Sequence, residues 1–258
     1  MNNAPIGIYD SGLGGLTVWR EVRRLLPEES LLYLGDGKNC PYGSRSREEV
    51  QTLSDAAVGR LVEEGCKLVV VACNTATAAA IDYLRAKYAS LPIVGMEPAV
   101  KPACRNTRSG VVGVLATERS LEGDLFRRTA ARYGHDVEVI SMPGTGFVEL
   151  VENDLEHTPE AVRTVAAAMA GMLAHGADQI VLGCTHYPFL IDAIRRAAGP
   201  EVTIIDPSPA VARHTLELLD ARGLRAEAGH KPHYGFLTFA DERYRERLRR
   251  KAFAGDVA

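Results

Sequence analysis

The sequence predicts an α/β protein built from two similar, doubly wound domains whose sheets are mainly parallel. Apolar runs alternate with amphipathic stretches along the chain, as strands alternate with crossover helices in such folds. The run Leu68–Ala72 is apolar throughout, which is typical of a strand covered by helices on both faces. The alternation also begins afresh near Gly110. A duplicated α/β unit accounts for all three observations.

In the first series, residues that interrupt helices mark where helices end. Pro27 ends the first helix and Gly65 the second, because proline cannot continue a helix and glycine favours its C-terminal end. The predicted strands are Ile6–Tyr9, Leu31–Leu34, Leu68–Ala72 and Ile93–Val94, and the predicted helices are Leu16–Leu26, Arg47–Glu64 and Thr77–Tyr88.

The second series repeats the alternation and is followed by a C-terminal segment. Its predicted strands are Gly110–Leu115, Val137–Ser141, Gln179–Leu182 and Val202–Ile205, and its predicted helices are Ser120–Tyr133, Pro159–His175 and Phe189–Ala198. In the C-terminal segment we expect a helix at Ala210–Ala221, a strand at Tyr234–Thr238 and a helix from Glu242.

Each series opens with a short strand and later carries a strand that is followed by a cysteine. Cys73 comes 63 residues after Asp10, and Cys184 comes 68 residues after Ala116. We interpret this as an internal repeat; the alternative is that any two α/β units share these features. If the two units face each other about a pseudo-twofold axis, the two cysteines approach a shared cleft from opposite sides.

The domain limits follow from the proline-rich break at Asp206–Pro209. We expect residues 1–98 and 208–258 to form the first lobe and residues 99–207 the second.

Composition excludes several classes of protein. With 258 residues, 46% of them hydrophobic, and a net charge of −3, the chain has no bulk attraction for nucleic acid. No apolar run reaches the roughly 18 residues of a membrane helix, and the N-terminal stretch lacks a signal peptide, so we expect a cytoplasmic protein. The basic run Arg243–Lys251 is interrupted by Glu246 and Leu248, which indicates a solvated helix face.

The five cysteines are odd in number and lack the spacing of zinc or redox motifs, so we expect free thiols. His230 and His233 have no evident companion ligands for a metal, and no lysine stands in a setting that suggests a pyridoxal phosphate site. The sequence thus predicts neither a metal nor an organic cofactor.

Cys73 lies where a buried strand ends and a helix begins. Ligands bind beyond the carboxyl ends of strands in open parallel sheets, and a helix N-terminus favours a thiolate. Cys184 has the same setting, with His186 two residues later as a candidate acid/base. Either cysteine alone could be a buried structural residue. Two of them in repeated units suit racemisation, which needs one base on each face of a Cα.

Two further segments carry polar groups at strand ends. The run Asp10–Leu16 enters a glycine-rich turn whose backbone N–H groups suit an anion, but Thr17 replaces the third glycine of a dinucleotide motif. Asp10 could orient or deprotonate a thiol, or it could cap the helix. The loop Gly35–Gly43 contains Tyr42, which could hydrogen-bond a ligand.

Six segments together resemble the glutamate racemases of the aspartate/glutamate racemase superfamily. They are GIYDSGLGGLT from Gly7, the segment around PYGSRS, VACNTAT from Val71, VGVLAT from Val112, FVELVEN from Phe147 and LGCTHYPFL from Leu182. The resemblance implies a two-domain α/β fold with the active site in the cleft between the domains. It implies cofactor-independent interconversion of L- and D-glutamate, which supplies D-glutamate for peptidoglycan. It also implies that glutamate is the small-molecule partner. Since many relatives are dimers, we expect a homodimer.

The resemblance assigns roles residue by residue. Cys73 and Cys184 match the two catalytic thiols, and Asp10, His186 and Glu152 match residues that assist them. The positions that match substrate-holding residues are Asp10, Ser11, Tyr42, Gly43, Asn74, Thr75, Thr117, Thr185 and His186.

The chain departs from the family in three places. Gly37 replaces a hydroxyl residue and Lys38-Asn39 an Ala-Arg pair, and the segments Met142–Gly146 and Gly235–Asp241 are unusual. Two alternatives remain open at this stage. One is a relative that acts on aspartate, and the other is a non-catalytic binding protein on the same fold.

Overall fold

A computed structural model describes residues 1–96, 99–122 and 136–254 of the chain. The chain forms two compact units. The first unit consists of Met1–Met96 and Ser208–Ala258, and the second consists of Glu97–Pro207. Among the described residues, no helix has the length and apolar character needed to cross a bilayer.

The first unit contains a five-stranded parallel sheet in the order β4-β3-β1-β2-β9. Its strands are β1 (Ile6–Asp10), β2 (Leu31–Gly35), β3 (Leu68–Val71), β4 (Ile93–Gly95) and β9 (Tyr234–Thr238). Its helices are α1 (Leu16–Leu25), α2 (Arg47–Glu63), α3 (Asn74–Lys87), α9 (Ser208–Arg222) and α10 (Glu242–Ala252). All five strands run in one direction, so their carboxyl ends share one edge of the sheet.

The second unit contains a four-stranded parallel sheet in the order β6-β5-β7-β8. Its strands are β5 (Val111–Ala116), β6 (Glu138–Pro143), β7 (Gln179–Gly183) and β8 (Thr203–Ile205). Its helices are α4 (Val100–Asn106), α5 (Glu118–Glu122), α6 (Phe147–Glu152), α7 (Pro159–Ala174) and α8 (Ile191–Ala198), and a 3-10 turn at Tyr187–Leu190 precedes α8.

The strands beside the two cysteines are buried on both faces, which explains their unbroken apolar sequences. Every residue of β1, β3 and β7 is buried. In the first unit, helices α2 and α3 pack together. A capping box at the start of α2, in which Ser46 and Glu49 satisfy each other's backbone N–H groups, fixes where that helix begins.

The predicted fold class is confirmed, and the repeat is visible in the topology. The order β4-β3-β1-β2 in the first unit matches β8-β7-β5-β6 in the second. Most boundaries differ by no more than two residues. The largest error is at the helix expected from Thr77, which begins at Asn74 because Cys73 itself caps it. The helix expected at Ser120–Tyr133 falls largely outside the described residues. Helices α4 and α6 were not predicted.

Candidate active site

Cys73 lies at the carboxyl edge of the first sheet, where β3 gives way to α3. Its side chain is only 5% exposed, and its Sγ accepts a hydrogen bond from the backbone N–H of Ala76 at 3.4 Å. The Cys73 thiol also donates a hydrogen bond to Oγ of Ser11, with 3.7 Å between the sulfur and the oxygen. A cysteine at a helix N-terminus faces the positive end of the helix dipole, which favours a thiolate. The predicted setting of Cys73 is therefore present.

Asp10 ends β1 on the strand next to β3 and is completely buried. Its Oδ1 accepts a hydrogen bond from the backbone N–H of Gly12 at 2.7 Å, which stabilises the turn into α1. Its backbone carbonyl accepts the N–H of Asp36 at 3.0 Å, at the end of the neighbouring strand β2. Asp10 thus has a structural role in the turn and also lies at the sheet edge where Cys73 follows β3.

Asn74 and Thr75 form the first turn of α3 and are both buried. The Oδ1 of Asn74 has no hydrogen-bond partner among the described residues. Because an unsatisfied buried carbonyl is costly, this atom is a ready acceptor for a donor that enters the site. An ammonium group has the required chemistry.

Tyr42 belongs to a hydrogen-bonded loop that follows β2. Its hydroxyl donates to Oδ2 of Asp36 at 2.7 Å, and its ring centroid lies 6.4 Å from that of Tyr9. Burial, together with the charges of its neighbours, holds the pKa of Tyr42 well above its usual range, so the phenol stays protonated. Gly43 follows Tyr42 and is partly exposed.

Cys184 has the same place in the second unit that Cys73 has in the first. It directly follows β7, is 7% exposed, and its backbone carbonyl accepts the N–H of Tyr187 in a tight turn. Its Sγ lies 3.8 Å from Nδ1 of His186. This turn brings the imidazole to the thiol over a separation of only two residues.

His186 links that thiol to a carboxylate. Its Nε2 lies 2.7 Å from Oε1 of Glu152, the last residue of α6, and the side chains are 2% and 15% exposed. When Nε2 of a neutral imidazole donates to the carboxylate, Nδ1 becomes the acceptor that faces the Cys184 thiol. The geometry therefore suits proton exchange between Cys184 and His186, with Glu152 orienting the ring.

Thr117 and Thr185 complete the polar groups of the second unit. Thr117 follows β5 as Cys184 follows β7. Since Ala116 of β5 pairs with Gly183 of β7, Thr117 and Cys184 come directly after a pair of neighbouring strand residues. The hydroxyl of Thr117 lies 2.8 Å from that of Ser120. Thr185 is 3% exposed.

Sequence reasoning missed two tyrosines that lie near the thiols. The hydroxyl of Tyr9 is 3.2 Å from that of Ser54. The pKa of Tyr9 is raised, mainly by burial and secondly by the charge of the nearby Cys73 thiolate. The pKa of Tyr187 is raised in the same way, mainly by burial and secondly by the charge of the Cys184 thiolate. Tyr187 stands within the segment LGCTHYPFL, so its position was a usable signal. The partnership of Tyr9 with Ser54 joins residues 45 apart and left no local pattern.

Comparisons with known proteins identify relatives over nearly the whole chain. A sequence profile described as Asp/Glu/Hydantoin racemase matches residues 16–215. A glutamate racemase of Roseiflexus sp. (strain RS-1) is 50% identical over 220 residues, which cover 85% of this chain and 81% of that protein.

Solved structures agree with the sequence relatives. The glutamate racemase isoform RacE1 of Bacillus anthracis is 33% identical, with a TM-score of 0.87 over 98% of this chain and 95% of that one. A glutamate racemase of Francisella tularensis in complex with D-glutamate is 26% identical, with a TM-score of 0.85 over 98% of this chain and 95% of that one.

Proposed function

Since the chain belongs to the Asp/Glu/Hydantoin racemase family, we propose that it is an enzyme that interconverts L- and D-glutamate without a metal or an organic cofactor. The observation that carries this proposal is the repeated placement of a buried thiol. Cys73 and Cys184 each follow a buried strand at corresponding positions of two units with the same strand order. The choice of glutamate rests on the relatives, which are named glutamate racemases.

Racemisation explains why two thiols are needed. Cys73 as a thiolate removes the α-proton from one face of the substrate, and the Cys184 thiol delivers a proton to the other face. In the reverse direction the two exchange roles. A thiol has an ordinary pKa of about 8.5, so it can serve as either acid or base near neutral pH. Asp10 assists Cys73, whereas His186 assists Cys184.

An amino-acid α-proton is far less acidic than a thiol, so the site must also stabilise the carbanion. Fixed hydrogen-bond donors and acceptors around the substrate carboxylate and ammonium groups supply that stabilisation. The buried Oδ1 of Asn74 is the acceptor proposed for the ammonium group. The other groups proposed to hold the substrate are Asp10, Ser11, Tyr42, Gly43, Thr75, Thr117, Thr185 and His186.

The biological setting is proposed with the activity. The enzyme is cytoplasmic, acts as a homodimer and supplies D-glutamate for peptidoglycan synthesis. In this proposal residues 1–98 with 208–258 form one lobe and residues 99–207 the other, and each lobe provides one of the two thiols.

The activity is tested with purified protein treated with a chelator and supplied with no pyridoxal phosphate. We expect L-glutamate to lose its optical rotation and, in deuterated water, to gain deuterium at Cα. Turnover of aspartate with none of glutamate would overturn the substrate assignment. Absence of both racemisation and exchange, on either amino acid, would overturn the enzymatic proposal.

The two-thiol mechanism is tested with Cys73→Ala and Cys184→Ala. Each variant should lose racemisation, because one face of the Cα then lacks its acid/base group. A remaining thiol can still exchange the proton on its own face, so any residual deuterium exchange should be confined to opposite enantiomers in the two variants. Cys104→Ala is the matched control, since this partly buried cysteine of α4 has no proposed role. Racemisation by either active-site variant at the rate of the control would refute the mechanism.

A further inference from the structure

A buried carboxylate, that of Asp36, accepts two hydrogen bonds from within residues 36–43, which we call the substrate loop. The side chain of Asp36 is inaccessible to solvent and accepts hydrogen bonds from Oη of Tyr42 at 2.7 Å and from Nδ2 of Asn39 at 3.0 Å. Its backbone N–H donates to the carbonyl of Asp10. The position of Asp36 therefore determines both the conformation of the loop and its connection to the strand that carries Asp10.

The last helix, α10, packs against the two glycines that flank Asp36 in the sequence. A Cβ atom added at Gly37 would lie 2.4 Å from Cε1 and Cζ of Tyr244, closer than real Cβ contacts allow. One added at Gly35 would lie 3.0 Å from a methyl group of Leu248. The φ of Gly37 is outside the left-handed region, so the neighbouring ring, and not the backbone conformation, leaves no room for a side chain there.

Tyr244 is not a freely moving surface residue. Its backbone N–H donates to Oδ1 of Asp241, which caps α10, so it lies in the first turn of that helix. The guanidinium carbon of Arg247 lies 5.6 Å from its ring centroid, and Leu248 one turn later is completely buried. These contacts hold the ring in place beside Gly37.

We propose that Tyr244 is a positioning residue for the reaction, acting through Gly37 and Asp36 on the substrate loop. The last helix then determines how well the loop holds glutamate, so this inference rests on the proposed function. Two of the departures noted in the sequence are brought together here. Gly37 lacks the usual side chain, and the unusual segment Gly235–Asp241 ends at the cap of the helix that fills the space.

The test is a cycle of the variants Gly37→Ala, Tyr244→Ala and the double variant, assayed on L-glutamate. Gly37→Ala should raise KM about ten-fold with a smaller change in kcat, because overpacking displaces the loop and leaves the thiols in place. Tyr244→Ala alone should raise KM a few-fold. The double variant should have a lower KM than Gly37→Ala, because the added methyl group then has room. Tyr244→Phe keeps the ring and should behave like the wild-type protein.

The matched control is Gly171→Ala, whose added Cβ would meet only Cε of Met142 at 3.9 Å and should leave KM unchanged. Multiplicative effects of the two alanine substitutions on KM, or an unchanged KM in Gly37→Ala, would overturn the inference. If Gly37→Ala does not fold, restoration of folding by Tyr244→Ala supports the contact and failure to restore it counts against it. A wild-type protein that neither racemises nor exchanges glutamate refutes the proposed function separately. In that case the melting temperatures of the same three variants are compared. Additive effects of the two alanine substitutions on the melting temperature would show that Gly37 and Tyr244 are not coupled.

Discussion

The buried ion pair between Lys67 and Glu29 should make the first unit sensitive to a single substitution. Both side chains are 1% accessible, and the Nζ–Oε2 distance is 2.5 Å. Nζ also donates to the carbonyl of Asn2, while Oε1 of Glu29 accepts the N–H of Ala226 at 2.8 Å and lies 3.8 Å from Nε of Arg225. The pair thus ties four segments of the first unit together, those that contain Asn2, Glu29, Lys67 and Ala226. The substitution Lys67→Met removes the charge and keeps most of the volume.

Breaking one side of a buried pair costs about 3–5 kcal/mol, because the remaining charge is left in a poorly solvated site. The contacts that Glu29 keeps with Ala226 and Arg225 offset part of this, so we expect the low end, about 3 kcal/mol. For a chain of this size each kcal/mol lowers the melting temperature by about 2–4 °C, which gives a decrease of about 6–12 °C. Lys67 and Cys73 lie at opposite ends of β3. Because the substitution is at the end away from the thiol, kcat and KM of the folded variant should be unchanged.

The assay is urea denaturation and thermal melting of Lys67→Met beside Lys87→Met. Lys87 pairs with Asp55 at the same distance of 2.5 Å, but these side chains are 46% and 24% exposed. The control should therefore lose much less stability than Lys67→Met, because solvent screens an exposed pair. The double variant Glu29→Gln with Lys67→Met should recover part of the loss. Equal stabilities for the two lysine variants would refute the reasoning, because burial would then not distinguish the two pairs.

Three further predictions concern single residues. Glu152→Gln should lower kcat/KM for L-glutamate by about ten-fold, because the hydrogen bond to His186 persists without its charge, and steady-state kinetics would measure this. Gly183→Ala places a Cβ 2.7 Å from that of Ala116 and should cost about 1–3 kcal/mol in urea denaturation; an unchanged midpoint would contradict the packing. Burial raises the pKa of Cys66 from 9.0 to about 12, so the stability from its neutral thiol is present below pH 9 and is lost as pH rises toward 12. The urea midpoint should fall over that range, and it should fall less steeply in Cys66→Ala.

The positions of the two thiols could be predicted because the evidence for them is local. An apolar run long enough for a buried strand precedes each cysteine, and helix-favouring residues follow. The start of α3 was misplaced by three residues, since Asn74 and Thr75 resemble capping residues while the Sγ of Cys73 serves as the cap. Local pattern thus placed this helix to within three residues but did not identify the capping atom.

Long-range partners could not be predicted from the pattern. Glu152 is the last residue of a six-residue helix, too short for a periodic signal, and its contact with His186 spans 34 positions. It was found only through the family resemblance. The contact of Tyr244 with Gly37 joins the two chain segments that form the first unit, so no window of sequence contains both. Such contacts depend on how β9 and α10 return to the sheet after the second unit.

The two thiols have different surroundings, and thermodynamics limits what this difference can do to the reaction. Ser11 and a helix N-terminus surround Cys73, whereas an imidazole backed by a carboxylate adjoins Cys184. L- and D-glutamate are mirror images with equal free energies in water, so a racemase brings them to equal amounts whatever its asymmetry. Unequal half-sites can therefore change kcat and KM for each enantiomer only in proportion. The net direction of the reaction in the cell is then determined by which enantiomer other enzymes consume.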